Sequence, residues 1–189
     1  RFVWLRGFPD MASRAEALQD FYGGPVWKAH RETANATMID SDNVLLLRPA
    51  SQDAGFSLDE NIRPAPGAGE VPKRLVLATI YYFDAPVIDD FLEFFESTIK
   101  PATAAAGATT LAHFVSDQSE NTFPALPVRQ GENVFIWFAR FTDPGAYERY
   151  LAALARSQPW REKIAAELAR RLKGTPEILK LSPTARSLL

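Results

Sequence analysis

The chain has no cysteine, only two histidines and two methionines, and no excess of either charge sign. Without cysteine there can be no disulfide, no thiolate zinc site, no iron–sulfur cluster and no cysteine nucleophile. His30 and His113 are too few for a multi-histidine metal centre, and no resident metal or cofactor is expected. Lys and Arg total 21 against 23 Asp and Glu, a net charge of -2. No basic block can neutralise a run of phosphates, so nucleic acid is not an expected partner. No apolar run approaches the roughly 18–20 residues that cross a bilayer, and no signal-peptide pattern opens the chain. What is present is 189 residues, 47% hydrophobic and 23% charged. This is the composition of a globular protein, expected in the cytoplasm and large enough for one domain or two small ones.

A repeat organises the sequence. Phe2-Val-Trp-Leu-Arg-Gly-Phe8-Pro-Asp10 matches Phe135-Ile-Trp-Phe-Ala-Arg-Phe141-Thr-Asp143 at one constant displacement. Trp27 matches Trp160 at the same displacement, and Val44–Pro49 matches Ile178–Pro183 one position further on. Each copy reads strand, helical stretch of about 30 residues, strand. Asp10 and Asp143 are N-caps, and Pro144 sits at a first helical position, where its missing N–H costs nothing. Gly23-Gly24 breaks the first helical stretch and Pro25 restarts it. Ser157 caps a further piece whose stripe is Trp160, Ile164, Leu168 and Leu172, ended by Gly174.

Residues 50–74, with Pro64, Pro66, Pro72, Gly55, Gly67 and Gly69, read as an irregular linker. A strand follows at 75–83, then a helix with the stripe Val87, Phe91, Phe94, Phe95 and Ile99, kinked by Pro101 and ended by Gly107. Strands at 109–116 and 134–141 come next. The order over 75–183 is therefore β-α-β-β-α-β, an α+β ferredoxin-like unit. Residues 1–49 keep only the last β-α-β of a first copy, and 184–189 form a tail. Because Phe2–Phe8 already reads as a buried strand, the chain looks like a piece, and a complete first copy would need about 55–60 more residues by the repeat spacing. Such a unit carries helices on one sheet face only. Its strands are apolar on both parities, so both faces are expected to be buried. Two sheets closing face to face into a barrel would cover the second face, and a homodimer is the expected way to supply them.

A family resemblance rests on four stretches: Phe2–Asp10, Phe21-Tyr-Gly-Gly-Pro-Val-Trp-Lys-Ala-His-Arg31, Asp40–Pro49 and Asn133-Val-Phe-Ile-Trp-Phe-Ala-Arg-Phe141. They resemble the NIPSNAP family of the dimeric α/β-barrel superfamily. The resemblance implies duplicated ferredoxin-like units forming dimeric barrels, here with an incomplete amino-terminal copy. It carries no agreed catalytic residues. Eukaryotic relatives are associated with mitochondria and vesicle traffic, so a mitochondrial location follows if the source is eukaryotic. The wider superfamily includes cofactor-independent oxygenases and isomerases that work inside the barrel. This is analogy at the level of fold.

Few residues stand out as chemistry. His113, in the middle of a strand, is either a base facing a cavity or a buried structural histidine. Thr79 and Tyr81 share a strand face and could orient a substrate, or their hydroxyls are simply part of the core. Arg6 and Arg140 lie in apolar strands, as anion or substrate anchors, as partners of a carboxylate, or with stems reaching out to water. His30 reads as structural or exposed, and the four tryptophans read as core. Two functions stay open. One is a barrel that binds or transforms a small hydrophobic ligand, with His113 moving a proton, Thr79 and Tyr81 orienting the substrate and Arg140 steadying negative charge. The other is a non-enzymatic scaffold or interaction protein. An enclosed pocket shared by His113 and Tyr81 favours the first; a filled interior with an exposed apolar patch favours the second.

Overall fold

In the computed structural model the described residues are 2–40, 42–58, 63–67 and 69–189. They form two compact units, one of residues 1–46 and 117–131, the other of residues 47–116 and 132–189.

The larger unit is built on a five-stranded antiparallel sheet in the order β1-β3-β4-β2-β5. Its strands are β1 (Leu47–Pro49), β2 (Leu75–Phe83), β3 (Thr109–Ser116), β4 (Asn133–Phe141) and β5 (Glu177–Leu181). Between β2 and β3 runs one helical stretch, α3 (Asp89–Phe94), a π-helical turn (Phe95–Ile99) and α4 (Lys100–Ala105). Between β4 and β5 run α5 (Pro144–Arg156), a second π-helical turn (Trp160–Ile164) and α6 (Ala165–Arg171). The fold is therefore α+β, and the expected β-α-β-β-α-β order runs from β2 to β5. Asp143 caps α5 as its residue type foretells, Oδ1 accepting from the Ala146 N–H at 2.8 Å. The Ser157 hydroxyl caps the next piece, accepting from the Trp160 N–H at 3.4 Å.

Register decides which side chains share a face. Thr79 lies opposite Trp137, and Trp137 opposite His113. Tyr81 lies opposite Phe135, and Phe135 opposite Val115. This face, with Leu75, Leu77, Ala139 and Phe141, packs on Phe91, Phe95 and Ile99 of one helical stretch and on Tyr147, Tyr150, Leu154, Ile164 and Leu168 of the other. Phe95, Ile99 and Phe135 are fully buried. Each such side chain contributes about 1.5–3 kcal/mol of transfer free energy, so this layer carries much of the unit's stability.

The second face carries Val76, Ala78, Ile80, Ala112, Val134, Ile136 and Phe138, all at most 5% exposed in the single chain. The expectation that both faces are buried holds, but a second copy is not needed to bury this one. Part of the cover comes from the 50–74 stretch, expected to be only a linker. Phe56 lays its ring on Phe114 (5.3 Å) and Phe138 (5.0 Å). Ala54 is buried, and its carbonyl accepts from the His113 N–H at 2.9 Å. Arg186 Nε donates to the Pro64 carbonyl at 2.8 Å, so the tail is tied to the same stretch.

The smaller unit holds α1 (Met11–Gly23) and α2 (Pro25–Ala36). Asp10 caps α1 through Oδ1 to the Ser13 N–H at 2.7 Å, and Pro25 opens α2 at once after Gly24. Residues 2–8, expected as a buried strand, form none: Phe2, Val3, Trp4 and Leu5 are 71, 40, 52 and 46% exposed. A strand needs a ladder partner for its N–H and C=O groups, and among the described residues no backbone hydrogen bond reaches this stretch. Trp4 is thus not core, whereas Trp137 is, at 3% exposure. Of the strand expected at 44–49 only the short β1 forms, and it pairs with β3.

Candidate functional site

Of the four sequence-selected residues, three share the helix-covered face of the sheet and one does not. Thr79, Tyr81 and His113 point toward the helices and are 6, 3 and 5% exposed. Arg140 lies opposite Val76 and Thr109 on the other face, exposed, near the end of β4. A sheet separates it from the other three, so it cannot act with them on one substrate.

His113 is the most elaborated of the group. Its backbone is held on both sides, its N–H donating to Ala54 and its carbonyl accepting from the Ala50 N–H at 3.2 Å. The imidazole lies beside the rings of Phe95 (5.1 Å) and Phe135 (5.7 Å). Nε2 is 2.9 Å from Glu96 Oε1, and Glu96 also pairs with Lys100 at 2.7 Å. Glu96 comes from the π-helical turn, whose wider winding places Phe95 in the core and Glu96 at its rim. Burial lowers the His113 pKa, Glu96 acts in the opposite sense, and Lys100 adds to the lowering. A neutral imidazole with its proton on Nε2 donating to Glu96 satisfies all three. The carboxylate side chain is 45% exposed, so it links a buried ring to solvent. Glu96 was missed in the sequence. Its only local signal is the Lys100 four residues on, which an ordinary exposed helical ion pair also gives.

Tyr81 lies parallel to Phe135 at 6.2 Å and edge-on to Phe91 at 6.2 Å. Burial raises its pKa to about 12, partly offset by the neighbouring Trp137 indole. That indole Nε1 is buried without a partner of standard hydrogen-bond geometry, as is Thr110 Oγ1. Tyr150 is pushed up by burial first and then by Tyr81 and Tyr147. The Tyr81 and Tyr150 phenols are thus held in their protonated form by burial. The ring of Phe135 packs against both His113 and Tyr81, and Phe95 packs on the same ring at 4.6 Å. Between His113 and Tyr81 lie the fully buried rings of Phe95 and Phe135.

Among the described residues no group of three or more metal-ligating side chains comes together. No helix among them is long and apolar enough to cross a membrane. An open groove of about 360 Å³ runs between the two helical stretches, lined by Phe94, Thr98, Glu162, Lys163, Ile164 and Arg170. Both π-helical turns contribute to it, yet none of the four residues selected from sequence for chemistry does. Its charges balance, and Arg170 is already paired with Glu167.

The solved structures similar to this chain include two NIPSNAP-type proteins. One is a NIPSNAP family protein from Agrobacterium tumefaciens, with a TM-score of 0.48 and 18% identity over 61% of this chain and 98% of its own. The other is an uncharacterized NIPSNAP-like domain protein from Burkholderia xenovorans, with a TM-score of 0.48 and 17% identity over 61% of this chain and 89% of its own. Both carry the name of the family that the sequence resembles. No family model matches the chain, and no curated protein does.

Proposed function

We propose that this NIPSNAP-like chain is a non-enzymatic interaction protein that associates with a second copy of itself. The observation that carries the reading is the stretch 2–8. It has the residue pattern of β4, the central strand of the larger unit, yet it lies exposed with no backbone hydrogen bonds among the described residues. Unpaired strand-like backbone with apolar flanks is a template for pairing with another chain. The same stretch of a second copy brings the same pattern across a two-fold axis. The filled interior around Phe135 supports the non-catalytic side of the proposal.

Light scattering after gel filtration tests it. The wild-type chain is expected to show a concentration-dependent dimer in the micromolar range typical of modest interfaces. Leu5→Pro removes a ladder donor from an exposed, non-helical position and is expected to weaken the dimer at least about tenfold with the fold intact. A chain that stays monomeric at about 100 μM, where a micromolar complex is formed, overturns the proposal.

A second reading, a barrel-type enzyme acting without a cofactor on a small hydrophobic ligand, is favoured by one observation: the 2.9 Å contact of His113 with Glu96, a carboxylate that could orient a base. It requires Phe95 to move aside. If a substrate is found, His113→Ala is expected to abolish its turnover, and unchanged turnover removes His113 from any mechanism.

A further inference from the structure

Arg14 is an odd residue for its place. It lies on α1, is only 5% exposed, and every side-chain hydrogen bond it makes among the described residues leaves from Nη1. The acceptors are neutral: Asn121 Oδ1 at 3.0 Å and Thr122 Oγ1 at 3.5 Å. Nε and Nη2 have no partner among the described residues. They are not fully sealed from water either, since they are not among the buried unsatisfied atoms. No carboxylate of the described residues pairs with this guanidinium. Burial first and the like charge of Arg6 second pull the Arg14 pKa below its ordinary value.

Two guanidiniums in one small unit without a counter-charge among the described residues are costly, the more so when one is desolvated. The surroundings of Arg6 are apolar and open. Arg6 stacks on the Trp4 ring at 4.3 Å and lies 5.5 Å from the centre of Phe21 and 6.0 Å from that of Tyr22. Trp4 and Phe21 are 52 and 44% exposed. The neutral acceptors are themselves held in place. Asn121 Nδ2 donates to the Leu126 carbonyl at 2.9 Å, and the Thr122 hydroxyl donates to the Met11 carbonyl at 3.0 Å. Asn121 Oδ1 also accepts from the Phe123 N–H at 3.1 Å. Arg14 is therefore fixed before any ligand arrives, and fixed donors are what an anion site needs.

We propose that the smaller unit binds an oxyanion carried on an apolar body, with Arg14 and Arg6 meeting the anion and Trp4 and Phe21 covering the body. A carboxylate and a phosphate ester share this chemistry. The inference goes beyond the self-association proposed above; because both use the stretch 2–8, the titrations are run at protein concentrations where light scattering shows a monomer.

Calorimetry on the whole chain at low salt tests it with three probes: 3-phenylpropionate, phenyl phosphate and the neutral 3-phenylpropanamide. Saturable binding of either anion, with the amide at least about tenfold weaker, is the expected result. The carboxylate and phosphate arms show which oxyanion is preferred. Arg14→Gln is expected to cost about tenfold or more in affinity and Arg6→Gln a smaller factor, both binding less salt-sensitively than wild type. Arg6 is exposed and outside any helix, so Arg6→Gln remains informative if Arg14→Gln fails to fold by circular dichroism. Three results overturn the proposal: no saturable binding of either anion, equal affinity for the amide, or affinity unchanged in the folded variants. Dimer formation, read separately by light scattering, can fail without affecting these titrations.

Discussion

His113 is held neutral at pH 7 chiefly by burial beside Phe95 and Phe135, and its pKa lies below the ordinary 6.5 of a free imidazole. In the unfolded chain the ring takes up a proton near pH 6.5; in the folded chain it does so only at lower pH. The unfolded state therefore binds more protons in that window, and stability is lost as pH falls from about 6.5 toward the folded pKa. Denaturant midpoints measured from pH 7.5 to pH 5 are expected to fall, and His113→Gln is expected to flatten that slope. A slope identical in wild type and variant would remove His113 as its cause. Phe95, with no exposed surface, stands at the other extreme: Phe95→Ala is expected to cost about 3–5 kcal/mol, read from urea unfolding. Arg140→Ala, on an exposed side chain, is expected to change stability by no more than about 0.5 kcal/mol. The reason the residue roles were poorly legible in the sequence is visible in these three. Alternation along β2 and β4 is apolar on both parities, so nothing local tells which parity meets the helices. The Glu96–His113 contact joins residues from different elements, and only tertiary packing creates it.

At the level of elements much more was readable. Asp10, Asp143 and Ser157 cap where their chemistry says they should, Gly23-Gly24 and Pro25 divide α1 from α2, and β2 and β3 begin and end where expected. Local chemistry decides such boundaries. The π-helical turns were not readable, although a cause is visible for one. Pro101 cannot donate to a carbonyl one turn back, and the helix widens over Phe95–Ile99 immediately before it. The stretch 2–8 was misread because strand propensity describes a half-buried ribbon, while the ribbon itself requires a neighbour. Gly107 offers a clean test of backbone conformation. Its φ is +113°, and an added Cβ would meet nothing within 4 Å. Gly107→Ala is thus expected to destabilise the larger unit through backbone strain alone, by about 1–2 kcal/mol, measured as a shift in chemical-denaturation midpoint.

The molecule as a whole divides its labour between a unit whose sheet is buried on both faces and a unit that displays aromatic side chains. Hydrogen exchange is expected to follow this division. Amides of β2 and β4, paired on both sides, should exchange slowest, and those of 2–8 nearly at the rate of free peptide in dilute solution. Raising the concentration should slow exchange in 2–8 if the proposed dimer forms there; unchanged rates across a concentration range that light scattering shows to span dimerisation would place the interface elsewhere.

The tryptophans give this division an optical consequence. Trp4 and Trp27 belong to the smaller unit, Trp137 and Trp160 to the larger, and Trp4 is half in water while Trp137 is sealed. Indoles in such different media emit at different wavelengths, so a single spectrum carries a red contribution and a blue one. Melting that begins in one unit will shift one edge of the emission band before the other, letting an unlabelled sample report the sequence in which its two parts come undone.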